Sequence, residues 1–169
     1  EVAISPVRPS GAARYAPFAL SALIFAFDQA TKVMIRAAYS VWDSQMIVPG
    51  FFNIVHAENP GAAFSMLADA PGWLRVTVLI GLASLVVVGI VLALLGRFGL
   101  ADTRLAKLAF ALILGGAVGN LFDRIFIGTV TDFLEFYWGR YYWPAFNVAD
   151  MAISIGSSLL ILDMMRNRK

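Results

Sequence analysis

The chain has no cysteine, a single histidine and few charges: Asp, Glu, Lys and Arg make up 14% of its 169 residues. The missing cysteines exclude a structural disulfide, a thiolate metal site and a cysteine nucleophile, and leave the redox compartment open. A formal charge of +2, carried by scattered basic residues, excludes the clustered basic face of a nucleic-acid binder. His56 has no Asp-x-His or cysteine pattern around it, so it reads as a packed or surface histidine rather than a catalytic one. No internal repeat is found.

What the chain has instead is apolar length. Hydrophobic residues are 60% of the total, in runs long enough to cross a hydrocarbon core of roughly 30 Å. They do not alternate with polar residues as a water-facing core requires. The expected fold is an all-α integral membrane protein, with four transmembrane helices, a small extracytoplasmic β-rich platform and an aromatic loop. Residues 15–169 form one transmembrane domain. Residues 1–14 are polar and contain Pro and Gly, and read as a cytoplasmic tail or a remnant with no part in the fold.

The spacing predicts helices from about Pro17 to Tyr39, Trp73 to Leu95, Leu105 to Phe126 and Asn147 to Met165, Pro17 being tolerated in a first turn. Eight of the thirteen basic residues (Arg8, Arg14, Arg97, Arg104, Lys107, Arg166, Arg168 and Lys169) fall on one side. By the positive-inside rule both termini then face the cytoplasm. Eight of the eleven acidic residues fall on the other half. Residues 40–72 break the helical period with two Gly-bearing turns and read as a hairpin-like platform, in which Asn59-Pro60-Gly61 is a turn. Residues 128–146 crowd aromatic side chains into an interfacial belt and place Asp132 near the outer headgroup boundary.

Ionised groups at membrane depth are expensive and usually functional. Asp28, Lys32 and Arg36 share a face of the first helix, either as an i,i+4 ion pair that lets a charge enter the membrane or as part of a site. On the third helix Ala111, Gly115 and Gly119 form a small-residue stripe for close helix approach. Gly116, Asn120, Asp123 and Arg124 lie on an adjoining face, where an Asp123–Arg124 pair plus the Asn120 amide gluing helices together is the favoured reading.

Asp132 and Asp150 stand on the two sides of a loop that leaves and re-enters one membrane surface, so they can meet. Two carboxyls in contact cannot both ionise cheaply and hold one proton near neutral pH. Such a dyad can activate water against an amide carbonyl and protonate the leaving nitrogen. The alternative is structural: Asn147 followed by Asp150 is also a helix N-cap with an acidic third residue, and Asp132 can terminate a loop.

Five blocks in order carry a resemblance: Asp28-Gln29-Ala30-Thr31-Lys32; Asn59-Pro60-Gly61-Ala62-Ala63-Phe64-Ser65; Gly115 through Arg124 (GGAVGNLFDR); Val130-Thr131-Asp132-Phe133; and Phe146-Asn147-Val148-Ala149-Asp150. Through them the chain closely resembles the bacterial lipoprotein signal peptidases, or signal peptidase II. The resemblance implies a four-helix aspartyl endopeptidase that cuts prolipoproteins just before a diacylglyceryl-modified cysteine, with no metal or other cofactor. It puts the catalytic dyad on Asp132 and Asp150. It puts residues around the dyad and substrate on Asn59, Gly116, Asn120, Arg124, Asn147 and Ala149, with Asp28, Lys32 and Asp123 supporting activity or stability. Thr131 stands where an apolar residue is frequent in the family. The implied partners are prolipoproteins and membrane lipids, with no nucleic acid; the expected state is a monomer in the bacterial inner membrane. The site would then lie near the outer face, under an aromatic loop mobile enough to admit substrate. Competing readings are an ion-coupled transporter, which predicts midplane carboxylates and inverted repeats, and a noncatalytic assembly factor. A presenilin-like protease is disfavoured because its Gly-x-Gly-Asp signature is absent.

Overall fold

The computed structural model describes residues 11–61 and 71–167. Ala62 to Ser65 of the second block and the rest of the expected platform to residue 70 lie outside the described residues, as do Arg8, Arg168 and Lys169. Among the described residues, four helices are long and apolar enough to span a membrane: α1 (Gly11–Ala38), α2 (Gly72–Leu94), α3 (Arg104–Phe126) and α4 (Val148–Arg166). They run up and down, so the end of α1, the start of α2, the end of α3 and the start of α4 gather at one end of the bundle. Helix α1 begins earlier than its spacing predicts, at Gly11, so residues 11–14 belong to it and Pro17 lies inside it. Ala12, Ala13 and Arg14 are good helix formers and carry the helix back past the proline.

Between the helices lie strands β1 (Ser44–Val48), β2 (Phe52–Asn59), β3 (Val130–Trp138) and β4 (Tyr141–Tyr142). They form one antiparallel sheet in the order β1-β2-β3-β4. The expected hairpin is therefore β1–β2, but the aromatic segment is not a loop. Its rings pack on one another in the sheet: Phe52 lies 5.0 Å from Phe136, Phe136 stacks on Phe146 at 5.9 Å, and Tyr137 stacks on Tyr142 at 5.1 Å. Those contacts add to the ladder, and Gly139, at φ +61°, turns β3 into β4. An aromatic-walled cleft of about 270 Å³, lined by Phe51, Tyr137, Trp138 and Trp143 among others, sits at this far end of the sheet.

Helix α3 is the centre of the bundle, packed against α1, α2 and α4. Its small-residue stripe takes α1: Ser21 Oγ donates to the Ala111 carbonyl at 2.9 Å, and a Cβ at Gly115 would stand 2.7 Å from the Ser21 carbonyl oxygen. Large apolar side chains such as Leu82, Leu85, Ile155 and Ile161 remain exposed on the outer faces. In lipid that is the side with matching surroundings.

Candidate active site

The polar residues of the blocks converge where the sheet meets the bundle. Lys32 of α1 is fully buried. Its ammonium lies 2.8 Å from Asp28 Oδ2 and 2.8 Å from Asp123 Oδ2, and donates to Asn120 Oδ1 at 2.9 Å. The ammonium is thereby shared between two carboxylates and one amide oxygen. Asp123 therefore pairs with Lys32 and not with its neighbour Arg124, correcting the pair expected from sequence. Adjacent helix residues point about 100° apart, and only one of the two can face α1. Gln29 closes the group by donating to Asp123 Oδ1 at 3.0 Å.

The lysine fixes the polarity of everything above it. Because Asn120 Oδ1 receives Lys32, its amide nitrogen faces Asp150 Oδ1, 2.8 Å away. Asn147 is the N-cap of α4, where its Oδ1 accepts from the Asp150 amide at 3.0 Å. Its amide nitrogen is thereby turned to Asp132 Oδ1 at 2.7 Å and to Asn120 Oδ1 at 3.3 Å. Asp150 Oδ2 completes a capping box by accepting from the Asn147 backbone at 3.2 Å. Asn59 forms the expected turn, its Oδ1 taking the Gly61 amide at 2.9 Å, and donates its own amide to Asp132 Oδ2 at 3.1 Å. Each of the four carboxylate oxygens thus has a protein donor, and the two aspartates are joined through Asn147 and Asn120. The cap reading of Asn147 and Asp150 therefore holds, and the same amides link Asp150 to Asp132.

Asp132 lies on β3 and is almost wholly buried. Burial, then the neighbouring charge of Asp150, push its carboxyl up to about 7, against the hydrogen bonds from Asn59 and Asn147 and the charge of Lys32. A carboxyl at that value exchanges its proton at neutral pH, as general acid–base chemistry requires.

Arg124 leans over the site from α3. It donates to the Asn120 carbonyl at 3.1 Å and to the Gly61 carbonyl at 3.0 Å, tying the turn after β2 to the bundle. The remaining site residues act through space they leave free. A Cβ on Gly116 would stand 2.4 Å from the Ala149 carbonyl oxygen, and one on Gly119 would stand 2.5 Å from Asp28 Oδ2. Ala149 is fully buried, and its amide donates to Asp28 Oδ1 at 2.9 Å. Gly116→Ala must therefore displace the first turn of α4. We expect it to reduce the melting temperature in detergent; a wild-type value would show that α4 is not seated this way.

Sequence reasoning gave Gln29 no part in the ionic group, noted Thr131 only as standing where an apolar residue is frequent, and gave Glu58 no role. Gln29 stands inside the first block and one turn from Lys32, which is the signal that could have found it. Thr131 and Glu58 become neighbours only through the β2–β3 register.

The family model for signal peptidase (SPase) II matches residues 20–166. The lipoprotein signal peptidase of Solibacter usitatus is 44% identical over 159 residues, which is 92% of this chain and 94% of that protein. That of Cupriavidus taiwanensis is 49% identical over 148 residues, covering 88% and 81%. A bacterial membrane enzyme solved by the in meso method superposes with a TM-score of 0.79 at 28% identity, covering 90% of this chain and 91% of that one. A fold shared at that level, the model match over nearly the whole chain and relatives of this similarity lead to one conclusion: the chain belongs to the signal peptidase II family and is an aspartic peptidase of the bacterial membrane.

Proposed function

We propose that the protein removes the signal peptide from diacylglyceryl-modified prolipoproteins by cutting before the lipidated cysteine, with Asp132 and Asp150 as the catalytic dyad. The observation that carries this reading is the amide frame that joins the two carboxyls, with Asp132 brought to about 7 while Asp150 shares its surroundings. In this reading Asp132 is the acid and Asp150 the base. Asp150 takes a proton from water as its oxygen bonds to the scissile carbonyl carbon, and Asp132 gives its proton to the carbonyl oxygen. Asp150 then protonates the leaving nitrogen as the C–N bond breaks, and the hydroxyl proton returns to Asp132. Arg124 and Asn59 lie beside this centre, where they can hold the substrate backbone, and the other polar residues keep the amides in register.

The site belongs at the outer face of the inner membrane, with both termini in the cytoplasm, which the distribution of basic residues supports. A lipidated substrate suits that depth: its acyl chains stay in the bilayer while the scissile bond enters between the sheet and the helices. The protein works as a monomer, because one chain supplies every group named here.

Two measurements test this. Mass spectrometry of a prolipoprotein peptide with and without the diacylglyceryl group should find a cut before the cysteine in the lipidated form only; equal cutting of both, or a cut elsewhere, refutes the substrate assignment. The pH profile gives the proton. The carboxyl of Asp132 is raised, so it keeps its proton below about 7 and loses it above. We expect kcat/KM to decline once the pH passes about 7, and a flat profile to pH 9 would exclude Asp132 as the acid.

A further inference from the structure

The sheet carries a second polar cluster, on the face of the β2–β3 ladder turned away from the aspartates. In this antiparallel pair Glu58 lies opposite Thr131, and Ala57 lies opposite Asp132, so Glu58 and Asp132 project to opposite sides. Glu58 gathers three donors. His56 Nε2 is 2.8 Å from its Oε1, the Thr131 hydroxyl donates to Oε1 at 3.3 Å, and the Thr129 hydroxyl donates to Oε2. The cluster is anchored to the end of α1: Arg36 donates to Thr131 Oγ1 at 2.9 Å, and His56 Nδ1 lies 2.8 Å from the Tyr39 carbonyl oxygen. His56 and Thr131 are buried. Burial pushes the Glu58 carboxyl up, but the hydrogen bonds of Thr129 and His56, the charge of His56 and the bond from Thr131 outweigh it and leave Glu58 below its ordinary value. It stays an anion, and bonds to an anion are roughly twice as strong as neutral ones.

We propose that Glu58, which touches neither aspartate, is a positioning residue for the dyad. Two strands meet at it, one residue from each of the groups that matter in front: Asn59 follows it on β2, and Asp132 follows its partner Thr131 on β3. By tying Thr129 and Thr131 to β2 from behind, Glu58 fixes the spacing across which Asn59 reaches Asp132 Oδ2 at 3.1 Å. This inference rests on the dyad reading for its consequence in catalysis, but its geometry stands without it.

The sign of one shift separates positioning from simple charge. In Glu58→Gln the donors lose their anion, and the incoming amide N–H₂ faces hydroxyls and an imidazole that already donate. If Glu58 holds the strands in place, Asn59 moves off Asp132, and losing that hydrogen bond drives the Asp132 carboxyl up. If Glu58 acts only through space, removing its negative charge drives Asp132 down. The experiment follows the Asp132 side-chain carboxyl by carbon NMR between pH 5 and 9 in the full-length protein, beside the kinetics of cleavage. We expect Asp132 to titrate at higher pH in Glu58→Gln than in wild type, the alkaline limb of kcat to move with it, and kcat to fall about tenfold with KM unchanged. An unmoved or downward titration overturns the proposal, as does a loss of activity that only tracks loss of folded protein. Should Glu58→Gln not fold, Thr131→Val removes one donor and keeps the Glu58 charge, so an upward Asp132 titration supports positioning and an unmoved or downward one overturns it. An active Asp132→Asn protein would defeat the dyad reading, whereas the direction of the carboxyl shift decides the positioning role alone.

Discussion

Asp132→Asn and Asp150→Asn are each expected to lower kcat/KM for a lipidated prolipoprotein by about 10⁴-fold, the upper range for loss of a general acid or base. Neither asparagine can carry the proton that moves between water, carbonyl and leaving nitrogen. Each also reverses local polarity. Asp132 receives Asn59 on one oxygen and Asn147 on the other, and Asp150 receives Asn120 and the Asn147 backbone. An asparagine at either place turns its own N–H₂ toward a donor, so one hydrogen bond is lost, at about 1 kcal/mol. That loss is small beside the catalytic one, and thermal melting in detergent separates them. A folded Asp150→Asn protein that still cuts at near wild-type rate would reduce Asp150 to a helix cap and end the dyad assignment.

The second large effect is on folding. Lys32→Met removes a cation that lies fully buried between Asp28 and Asp123. Two carboxylates are then left in a dry interior without a cation, and breaking a buried pair in this way costs about 3–5 kcal/mol. We expect Lys32→Met to accumulate poorly or to melt well below wild type. Asp28→Asn combined with Lys32→Met should recover part of the loss by removing one stranded charge. The single variant should also lose activity beyond its loss of folded protein, because the lysine dictates which way the Asn120 amide faces. A Lys32→Met protein with wild-type melting would mean that the charges there are already neutralised by other means.

The helices were legible because a membrane demands long apolar runs, and no other element imitates them. Their ends shifted by a residue or two, except at α1, where Ala12, Ala13 and Arg14 extend the helix past a proline that suggested a start. The sheet was harder. β2 is bounded by turns on both sides and reads as part of a platform, whereas Phe133 to Trp143 carries aromatic rings too densely for any alternation to stand out, and reads as a loop. Pairing also decides which charges meet. Asp123 and Arg124 are neighbours in sequence, yet the partner of Asp123 is Lys32, ninety-one positions earlier and on another helix. The amide chain from Lys32 to Asp132 needs four separate segments in register, and no spacing along the chain announces that. Asp132 and Asp150 could be singled out because each is an ionisable group at a membrane boundary, which is costly wherever it is found.

One further consequence comes from the capping box at the start of α4. Asn147 and Asp150 make the cap, and the same side chains complete the aspartate frame. The residues they engage outside the cap, Asn120 and Asp132, are both made earlier by the ribosome. During synthesis the nascent chain therefore holds Asn120 and Asp132 before the last helix enters the bilayer, and neither yet has its α4 partner. Seating of α4 is the event that brings those partners in, so a half-inserted molecule lacks the frame around Asp132.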